Sequence, residues 1–321
     1  SISLSVSDTF VVEDGMRTDG ITRSLNVALA DKFNNPVVDG TAAVFTTEYG
    51  AIVGSCTTTG GTCSVQWRSQ EPRFPTLTDN DFVKTINDPD YNCPSHNGNR
   101  GPCPDDLGPV RGGRSTIMVH ALGEESFIDR NGNGIMDQDE ADLFDNLPEA
   151  FIDHNEDGVY TPTLPECMAN PQGSLRCIAG QEEIFVDQNS NGQYDLNDSP
   201  AVYNGLLCPP EGDGVWCSRE LVQVFDDIVI TLSNAPAWDI ILLRGSSVVT
   251  TTTHLFDHVA LISDSFNNPP PGGSTVSVST EGDCNLLSEP SFTVDNIGST
   301  GAIGIPVKTN FPESEANDPG I

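Results

Sequence analysis

Apolar and polar positions alternate along the chain in short runs, and Gly, Pro, Asn or Asp bounds most of these runs. A period of two is the pattern of a half-buried β-strand, whose successive side chains point to opposite faces of a sheet. The pattern predicts six strands, at residues 2–7, 21–30, 42–47, 63–69, 115–122 and 221–232. Short strands separated by turn residues are typical of an antiparallel sandwich, and we expect Phe45 and Trp67 in its core.

A long-range repeat shows that the strand pattern occurs twice. The stretch DKFNNPVVDGTAAVFTTEYG begins at Asp31 and DSFNNPPPGGSTVSVSTEG begins at Asp264, at a constant offset of 233 residues. In both copies a strand enters, Asn-Asn-Pro turns the chain, and an alternating strand leaves. The repeat therefore predicts two copies of one β-domain.

The repeated stretch resembles the bacterial immunoglobulin-like repeats of the invasin and intimin type. Those repeats carry an Asp…Asn-Pro-Val turn followed by a V-x-F strand, and DKFNNPVVDGTAAVF, followed by SVQWRSQEPR, is similar to this pattern. The resemblance covers about residues 1–122 with 221–233, and again 236–309. It implies an all-β fold of two tandem immunoglobulin-like β-sandwiches, used as extracellular modules of bacterial surface proteins.

Two long segments depart from the family pattern, at residues 74–114 and 124–220. The second segment separates the two strands that we expect to end the first sandwich, so we interpret it as an insertion. We therefore expect a first sandwich at residues 1–123 with 221–235, an inserted acidic module at 124–220, and a second sandwich at 236–321. No clear final strand follows Val307 in the second sandwich.

Charge is distributed unevenly over these parts. The chain has 47 acidic and 14 basic residues, a formal charge of −33, which argues against nucleic acid as a partner because phosphate binding needs a basic surface. Residues 124–198 contain 18 acids and two bases. Like charges about 4 Å apart repel by roughly 4 kcal/mol at a protein surface, so this segment needs cations to become compact.

The cysteines predict an oxidising compartment. Eight of the nine lie close in sequence as pairs that would close short loops: Cys56 with Cys63, Cys93 with Cys103, Cys167 with Cys177, and Cys208 with Cys217. Zinc is the alternative, although no pair has Cys-x-x-Cys spacing and the five histidines are scattered. Cys284 is left over, either as a buried thiol or with a partner on chain outside this sequence.

Three stretches of the insertion share the pattern Glu-x-Phe-[Ile/Val]-Asp-x-Asn-x-[Asn/Asp]-Gly, beginning at Glu125, Glu149 and Glu183. From each Asp onward they match the twelve-residue calcium loop of an EF-hand, whose side chains and position-7 carbonyl supply oxygen ligands. Gly at position 6 permits the sharp turn. Simple Asn/Asp/Gly turns are the alternative. Three copies in register favour bound calcium instead, with about two or three ions, or more, per chain.

Each loop has its own set of predicted ligands. Loop 1 (residues 129–140) offers Asp129, Asn131, Asn133, Ile135 through its carbonyl, Asp137 and Glu140. Loop 2 (residues 153–164) offers Asp153, Asn155, Asp157 and Val159, and it must borrow a carboxylate from Glu166 or from a neighbouring repeat. Loop 3 (residues 187–198) offers Asp187, Asn189, Asn191, Gln193, Asp195 and Asp198. We expect the upstream glutamates Glu125, Glu149 and Glu183 each to bind an adjacent ion.

The helices that flank EF-hand loops are largely missing, and only residues 137–147 suit a short helix. The loops therefore resemble the calcium loops of dockerins and thrombospondin repeats. We expect a small aromatic core between them, formed by Phe127, Phe151, Phe185, Tyr160 and Tyr194. The metal would then be structural, because without it the charge of the module has no compensation.

These features favour an extracellular, calcium-stabilised structural or adhesive protein of a bacterial surface, as a rod-like adhesin segment or a filament subunit. We expect no enzyme, because the acid pairs at residues 124–125 and 182–183 lie beside calcium loops and no phosphate-binding or nucleophile motif stands out. A calcium-dependent carbohydrate-binding or carbohydrate-active module is the alternative.

Expected partners are other copies of the chain or neighbouring Ig-like domains. Contact by strand exchange would use an incomplete second sandwich as acceptor and SISLSVSD, at the start of the chain, as donor. No apolar run reaches the length of a membrane span, and the chain opens on Ser1, so we expect a mature or trimmed product.

Overall fold

A computed structural model describes most of the chain. The described residues are 1–71, 73, 113–154, 156, 158–162, 183–196, 201–233, 239–249, 253–264, 268–282, 284–296 and 303–312. Among the predicted disulfide residues, Cys93, Cys103, Cys167 and Cys177 lie outside these ranges. The fold is all-β, as the alternating pattern predicts.

The described strands fall into five sheets. In chain order they are β1 (Ile2–Val6), β2 (Val11–Val12), β3 (Thr22–Leu29), β4 (Ala42–Thr47), β5 (Ala51–Ile52), β6 (Ser55–Thr57), β7 (Thr62–Arg68), β8 (Arg114–Gly123), β9 (Tyr203–Asn204), β10 (Cys217–Ser218), β11 (Val222–Leu232), β12 (Asp239–Val249), β13 (Thr253–Ser263), β14 (Thr275–Ser277), β15 (Asn285–Leu286), β16 (Ser291–Thr293) and β17 (Ile303–Pro312). All six strands predicted from the alternation are confirmed, and each end differs by at most one residue.

The first sandwich pairs a four-stranded sheet, in the order β1-β3-β7-β5, with a five-stranded sheet, in the order β2-β11-β8-β4-β6. Strands β8 and β11 are antiparallel neighbours from Val222↔Gly123 to Thr231↔Arg114. The chain between them is the acidic segment, which therefore leaves the sheet at one end of this strand pair and returns at the same end.

Side chains from both sheets of the first sandwich meet in one core. Trp67 and Ile117 are fully buried, and Phe45 is nearly so. The ring N–H of Trp67 donates to the Tyr49 carbonyl over 2.9 Å, so the polar edge of this large side chain is satisfied inside the core. Both residues that the sequence marks as core anchors are confirmed in that role.

The second sandwich repeats the strand order of the first in one sheet and is reduced in the other. Its larger sheet has the order β12-β13-β17-β15, which corresponds to β1-β3-β7-β5. Strand β14 begins 233 residues after β4, at the offset of the sequence repeat. In the described part of the chain, the opposing sheet contains β14 and β16, without counterparts of β8 and β11.

The repeated Asp-x-Phe-Asn-Asn-Pro stretch has one hydrogen bond in common in both sandwiches, from the second Asn to the Asp. The Asp31 carboxylate accepts hydrogen bonds from the N–H groups of Phe33 and Asn35 over 2.8 and 2.9 Å. In the second copy, Asp264 accepts from the N–H of Asn268 over 2.9 Å. Aspartate recurs at this position because its short carboxylate reaches the backbone of the same turn.

Two of the four predicted disulfides lie among the described residues, and both are confirmed. They join Cys56 to Cys63 and Cys208 to Cys217, with Cα atoms 6.1 and 5.7 Å apart. Cys284 is a free cysteine. Disulfides of this kind are typical of oxidising compartments. The described part of the chain contains no helix with the length and hydropathy of a membrane span.

Candidate metal-binding module

The insertion packs against the outer face of the five-stranded sheet. Met118 on β8 points away from the sandwich core, yet it is only 2% exposed. Ala150 and Ile152 of the insertion cover it, beside Phe225 of β11. The insertion is therefore held by side-chain packing as well as by its two chain connections.

Positions 4 and 6 have the same backbone conformation in all three loops. Position 6 has a positive φ in each, at Gly134 (77°), Gly158 (76°) and Gly192 (75°). Position 4 also has a positive φ in each, at Gly132 (73°), Glu156 (59°) and Ser190 (58°). The N–H of each position-6 glycine donates to the aspartate at position 1 of its loop over 2.7, 2.7 and 2.8 Å. Glycine is favoured at position 6 because this backbone region strains other L residues.

Side chains at positions 3, 5 and 9 converge in loops 1 and 3. The amides of Asn131 and Asn133 donate to Oδ2 of Asp137 over 2.6 and 2.8 Å. In loop 3, the amides at positions 3 and 5 donate to Oδ2 of Asp195 over 2.6 and 2.7 Å. The carboxylate supplies the oxygen ligands that calcium prefers, and each amide would supply one more by turning its oxygen toward this point.

A buried carboxylate closes loop 1. Glu140 at position 12 is fully buried and accepts from the N–H groups of Arg130 and Asp137 over 2.6 and 3.3 Å. These N–H groups belong to positions 2 and 9 of the loop. A single 3-10 turn, Gln138–Glu140, brings the carboxylate back over the loop, and this turn is all that forms of the helix suggested at residues 137–147.

In loops 2 and 3, the carboxylate that accepts from backbone N–H groups of the loop, as Glu140 does in loop 1, comes from a glutamate outside that loop. At loop 3, the N–H groups of Gln188 and Asp195, at positions 2 and 9, donate to Glu149 over 2.7 and 3.1 Å. At loop 2, the N–H of Thr161, at position 9, donates to Glu183 over 2.6 Å. Glu149 and Glu183 are 8% and 1% exposed. Each glutamate therefore lies four residues before one loop and closes the other.

The pair formed by Glu124 and Glu125 holds the chain ends of the insertion. Glu125 accepts from the N–H groups of Leu147 and Asn204 over 2.9 and 2.7 Å, and neither residue belongs to a loop. Glu124 accepts from the hydroxyl of Tyr203 over 3.1 Å. Burial, with the charge of Glu124, raises the pKa of Tyr203. These bonds of Glu125 therefore go to residues outside the three loops, and the bonding partners of both carboxylates suit a structural role.

Loops 2 and 3 share an aromatic core. Tyr160 and Tyr194, both at position 8, stack with ring centroids 4.0 Å apart. Phe151 and Phe185 pack edge-on against this pair. Burial raises the pKa of Tyr194 to about 12, and Glu149 adds to the shift.

Loop 1 has a separate core, so Phe127 does not join the other aromatic residues as expected. Its ring packs against Tyr203 with centroids 5.1 Å apart, in a cluster with Met136 and the disulfide of Cys208. The difference arises because residues 203–217 fold back on loop 1. Nζ of Lys32, in the first repeated turn, lies 3.4 Å from the Phe127 ring centroid, a cation–π contact between sandwich and loop.

Two ion pairs tie loop 2 to the first sandwich. Arg114, only 5% exposed, forms a bidentate pair with Glu156. Nδ1 of His154 lies 3.2 Å from a carboxylate oxygen of Glu48. Burial lowers the pKa of His154 most, but the contact with Glu48 and the negative charges of Glu48, Glu183 and Asp153 together outweigh it, so the pKa is raised. The sequence pattern did not single out Arg114 or His154, because a lone basic residue near an acidic stretch has no spacing that marks its partner.

Part of the predicted ligand set lies outside the described residues, namely Asn155, Asp157, Glu166 and Asp198. Within the described ranges, no group of three or more His, Cys, Asp or Glu side chains is placed to hold a metal ion. The predicted ligands also include other groups, namely amides at position 3 of each loop and at position 5 of loops 1 and 3, and the carbonyl at position 7. The position-7 residues are Ile135, Val159 and Gln193, each directly after the glycine turn.

The similarity of this chain to known proteins is slight. No family model matches it, and no curated protein does. Among solved structures, the Yersinia pseudotuberculosis adhesin InvE matches with a TM-score of 0.24 and 9% identity, over 98% of this chain and 55% of that chain. The chain thus spans about half the length of that structure. A likeness at this level carries no argument about function.

Proposed function

We propose that this protein is an extracellular, calcium-stabilised structural or adhesive protein of a bacterial surface, as a segment of an adhesin or a subunit of a filament. The observation that carries the proposal is the recurrence of one loop, with the same glycine turn and the same aspartate acceptor in all three copies. The loops lie in a segment with 18 acids, which packs on the outside of a sandwich.

Calcium suits these loops better than magnesium. Calcium accepts six to eight oxygens at about 2.3–2.6 Å in a flexible geometry, which matches loops that mix carboxylates, amides and a carbonyl. Magnesium demands a near-ideal octahedron at about 2.0–2.1 Å and keeps several of its waters. Extracellular calcium modules bind with dissociation constants of about 10⁻⁴–10⁻³ M. A weak site is therefore sufficient for a calcium module outside the cell.

The ion has a structural role in this proposal. The closing glutamates are buried, and the aromatic side chains of loops 2 and 3 contact Phe225 of the sandwich through Phe151. An EF-hand sensor opens a groove between two helices, and the described part of the insertion has a single 3-10 turn. The free energy of calcium binding is therefore available to fold the insertion.

Contact with other copies or neighbouring Ig-like domains is part of the proposal, through the open side of the second sandwich. Ile240 and Leu242 lie opposite the buried Ile262 and Ala260, so all four face the core side of the sheet. Ile240 and Leu242 are nevertheless 67% and 58% exposed, whereas Leu4 in the corresponding strand β1 is 8% exposed. A strand from another chain would cover them and pair along β14.

The exposed core side of the second sandwich is better supported as the acceptor of a strand than β1, at the start of the chain, is as the donor. Strand β1 pairs with β3 of its own sandwich from Ile2↔Leu29 to Val6↔Leu25, so donation would require it to leave this sheet.

Light scattering and negative-stain microscopy test the contact. We expect oligomers or filaments that the double substitution Ile240→Lys/Leu242→Lys abolishes and that Leu122→Lys, at an exposed site on β8, leaves intact. A wild-type protein that stays monomeric at high concentration would count against the contact.

Native mass spectrometry tests the calcium part directly. Protein stripped with EDTA and then dialysed against calcium should carry about two to three ions per chain. Limited proteolysis within residues 124–220 should be slower with calcium than with EDTA. Magnesium at the same concentration is the control and should protect less. Protein that binds no calcium at about 1 mM, the range of extracellular modules, would contradict the proposal.

A further inference from the structure

Loops 2 and 3 are joined by reciprocal backbone contacts. The N–H of Ile152 donates to the Ile184 carbonyl over 2.9 Å, and the N–H of Val186 donates to the Ala150 carbonyl over 2.7 Å. Both bonds connect the residue directly before one loop to the residue three places before the other. The two loops are thus related by an approximate two-fold relation, and loop 1 takes no part in these contacts.

The closing glutamates belong to the same reciprocal arrangement. The N–H of Glu149 donates to the Asp195 carbonyl, and the N–H of Glu183 donates to the Thr161 carbonyl, each over 3.1 Å. The carboxylates in turn accept from the N–H groups of Asp195 and Thr161. Each glutamate therefore bonds through both its backbone and its side chain to position 9 of the loop across the two-fold.

We propose that loops 2 and 3 take up calcium cooperatively, because Glu149 supplies a ligand to loop 3 and Glu183 supplies one to loop 2, while loop 1 fills independently. This inference rests on the proposed calcium function. An ion in loop 3 fixes Glu149, and the chain from Glu149 runs directly into Asp153 of loop 2. The second ion then meets a loop that is already ordered, which is the condition for positive cooperativity. Loop 1 lacks this link, since Glu140 closes it from within.

The amides of the position-6 glycines report on each loop separately. Gly134, Gly158 and Gly192 donate to the position-1 aspartates, so their resonances respond to an ion in their own loop. The full chain, labelled with ¹⁵N-glycine and stripped of metal, is titrated with calcium. We expect the resonances of Gly158 and Gly192 to shift at one shared calcium concentration, with a Hill coefficient between about one and about two. The resonance of Gly134 should shift with a Hill coefficient of about one. Separate midpoints with coefficients of about one would overturn the inference. Amides that never shift would instead overturn the calcium function itself.

The variant Glu149→Gln tests whether Glu149 supplies a ligand to loop 3, across the two-fold, or to loop 2, which follows it in the sequence. It should raise the calcium midpoint of Gly192 by about tenfold or more, because loop 3 loses a charged ligand. The effect on Gly158 should be smaller, although Glu149 lies just before loop 2. Glu183→Gln should show the reverse order. An increase confined to Gly158 in Glu149→Gln would overturn the inference.

Glu140→Gln is the matched control, and it should raise the midpoint of Gly134 alone. An unchanged Gly134 response in Glu149→Gln and Glu183→Gln shows that each variant is folded around loop 1. If both variants unfold loops 2 and 3, the Hill coefficients of the wild-type protein still decide the question, because independent filling would contradict the inference without any substitution.

Discussion

At the scale of single residues, the three loops differ in the residue at position 4. Gly132 adopts the left-handed conformation freely, whereas Ser190 and Glu156 adopt it with a side chain. A left-handed L residue costs roughly 1–2 kcal/mol. Glu156 has the bidentate bond to Arg114 to offset this cost, and Ser190 is exposed. Loop 3 therefore carries strain at Ser190 that loop 1 avoids.

Ser190→Gly should relieve that strain. We expect the free energy of unfolding to rise by about 1 kcal/mol, as measured by urea denaturation with calcium present. Gly132→Ser is the matched reverse change, and it should lower stability by a similar amount, since nothing lies within 4 Å of its added Cβ. A loss of stability in Ser190→Gly would refute the backbone explanation.

Asp227 on β11 should make stability depend on pH. Burial raises its pKa from 3.8 to about 6, and Asp226 and Asp153 add to the shift. Because the folded protein holds this proton more tightly than the unfolded chain, the contribution to stability falls as pH rises from about 4 to about 6. In EDTA, Asp227→Asn should therefore raise the unfolding midpoint more at pH 7 than at pH 4. Asp142→Asn, at an exposed acid, is the control. Equal effects at both pH values would contradict the assignment.

At the scale of elements, the alternation predicted the long strands of the first sandwich well because each repeats its period several times, as Val65 and Trp67 do on β7. The bounds of β12, β13 and β17 in the second sandwich were not predicted. The two-residue strands β2, β5, β9, β10 and β15 were not predicted, because two residues carry no period. Spacing within a loop likewise predicted candidate ligands such as Asp129 and Asp187. It did not predict that Glu149 closes loop 3, because that depends on which loops pair in space.

The ion pair of Arg114 and Glu156 should contribute strongly to the binding of loop 2 to β8. Arg114→Met leaves the Glu156 carboxylate, only 16% exposed, without its guanidinium partner, and breaking such a buried pair costs about 3 kcal/mol or more. We expect that loss in urea denaturation. The double variant Arg114→Met/Glu156→Gln should recover much of it, because no charge is then left buried alone. A double variant as unstable as the single one would contradict this explanation.

At the scale of the whole molecule, one chain combines a filled sandwich with an open one. Strands β8 and β11 complete the first sandwich, and the acidic insertion between them covers its outer face at Met118. The second sandwich leaves Ile240 and Leu242 exposed on its core side. The first sandwich thus carries the candidate metal loops, and the second carries the exposed side chains through which we propose contact with a partner.

In the proposed function, calcium holds the acidic insertion in its folded form. Differential scanning calorimetry of the full chain in EDTA and in calcium tests it most directly. An ion that binds only the folded form stabilises it by about 2.7 kcal/mol at one hundred times its dissociation constant. We therefore predict that calcium raises the unfolding temperature by several degrees, that magnesium does so less, and that EDTA reverses the change. The same unfolding profile with calcium and with EDTA would contradict the account.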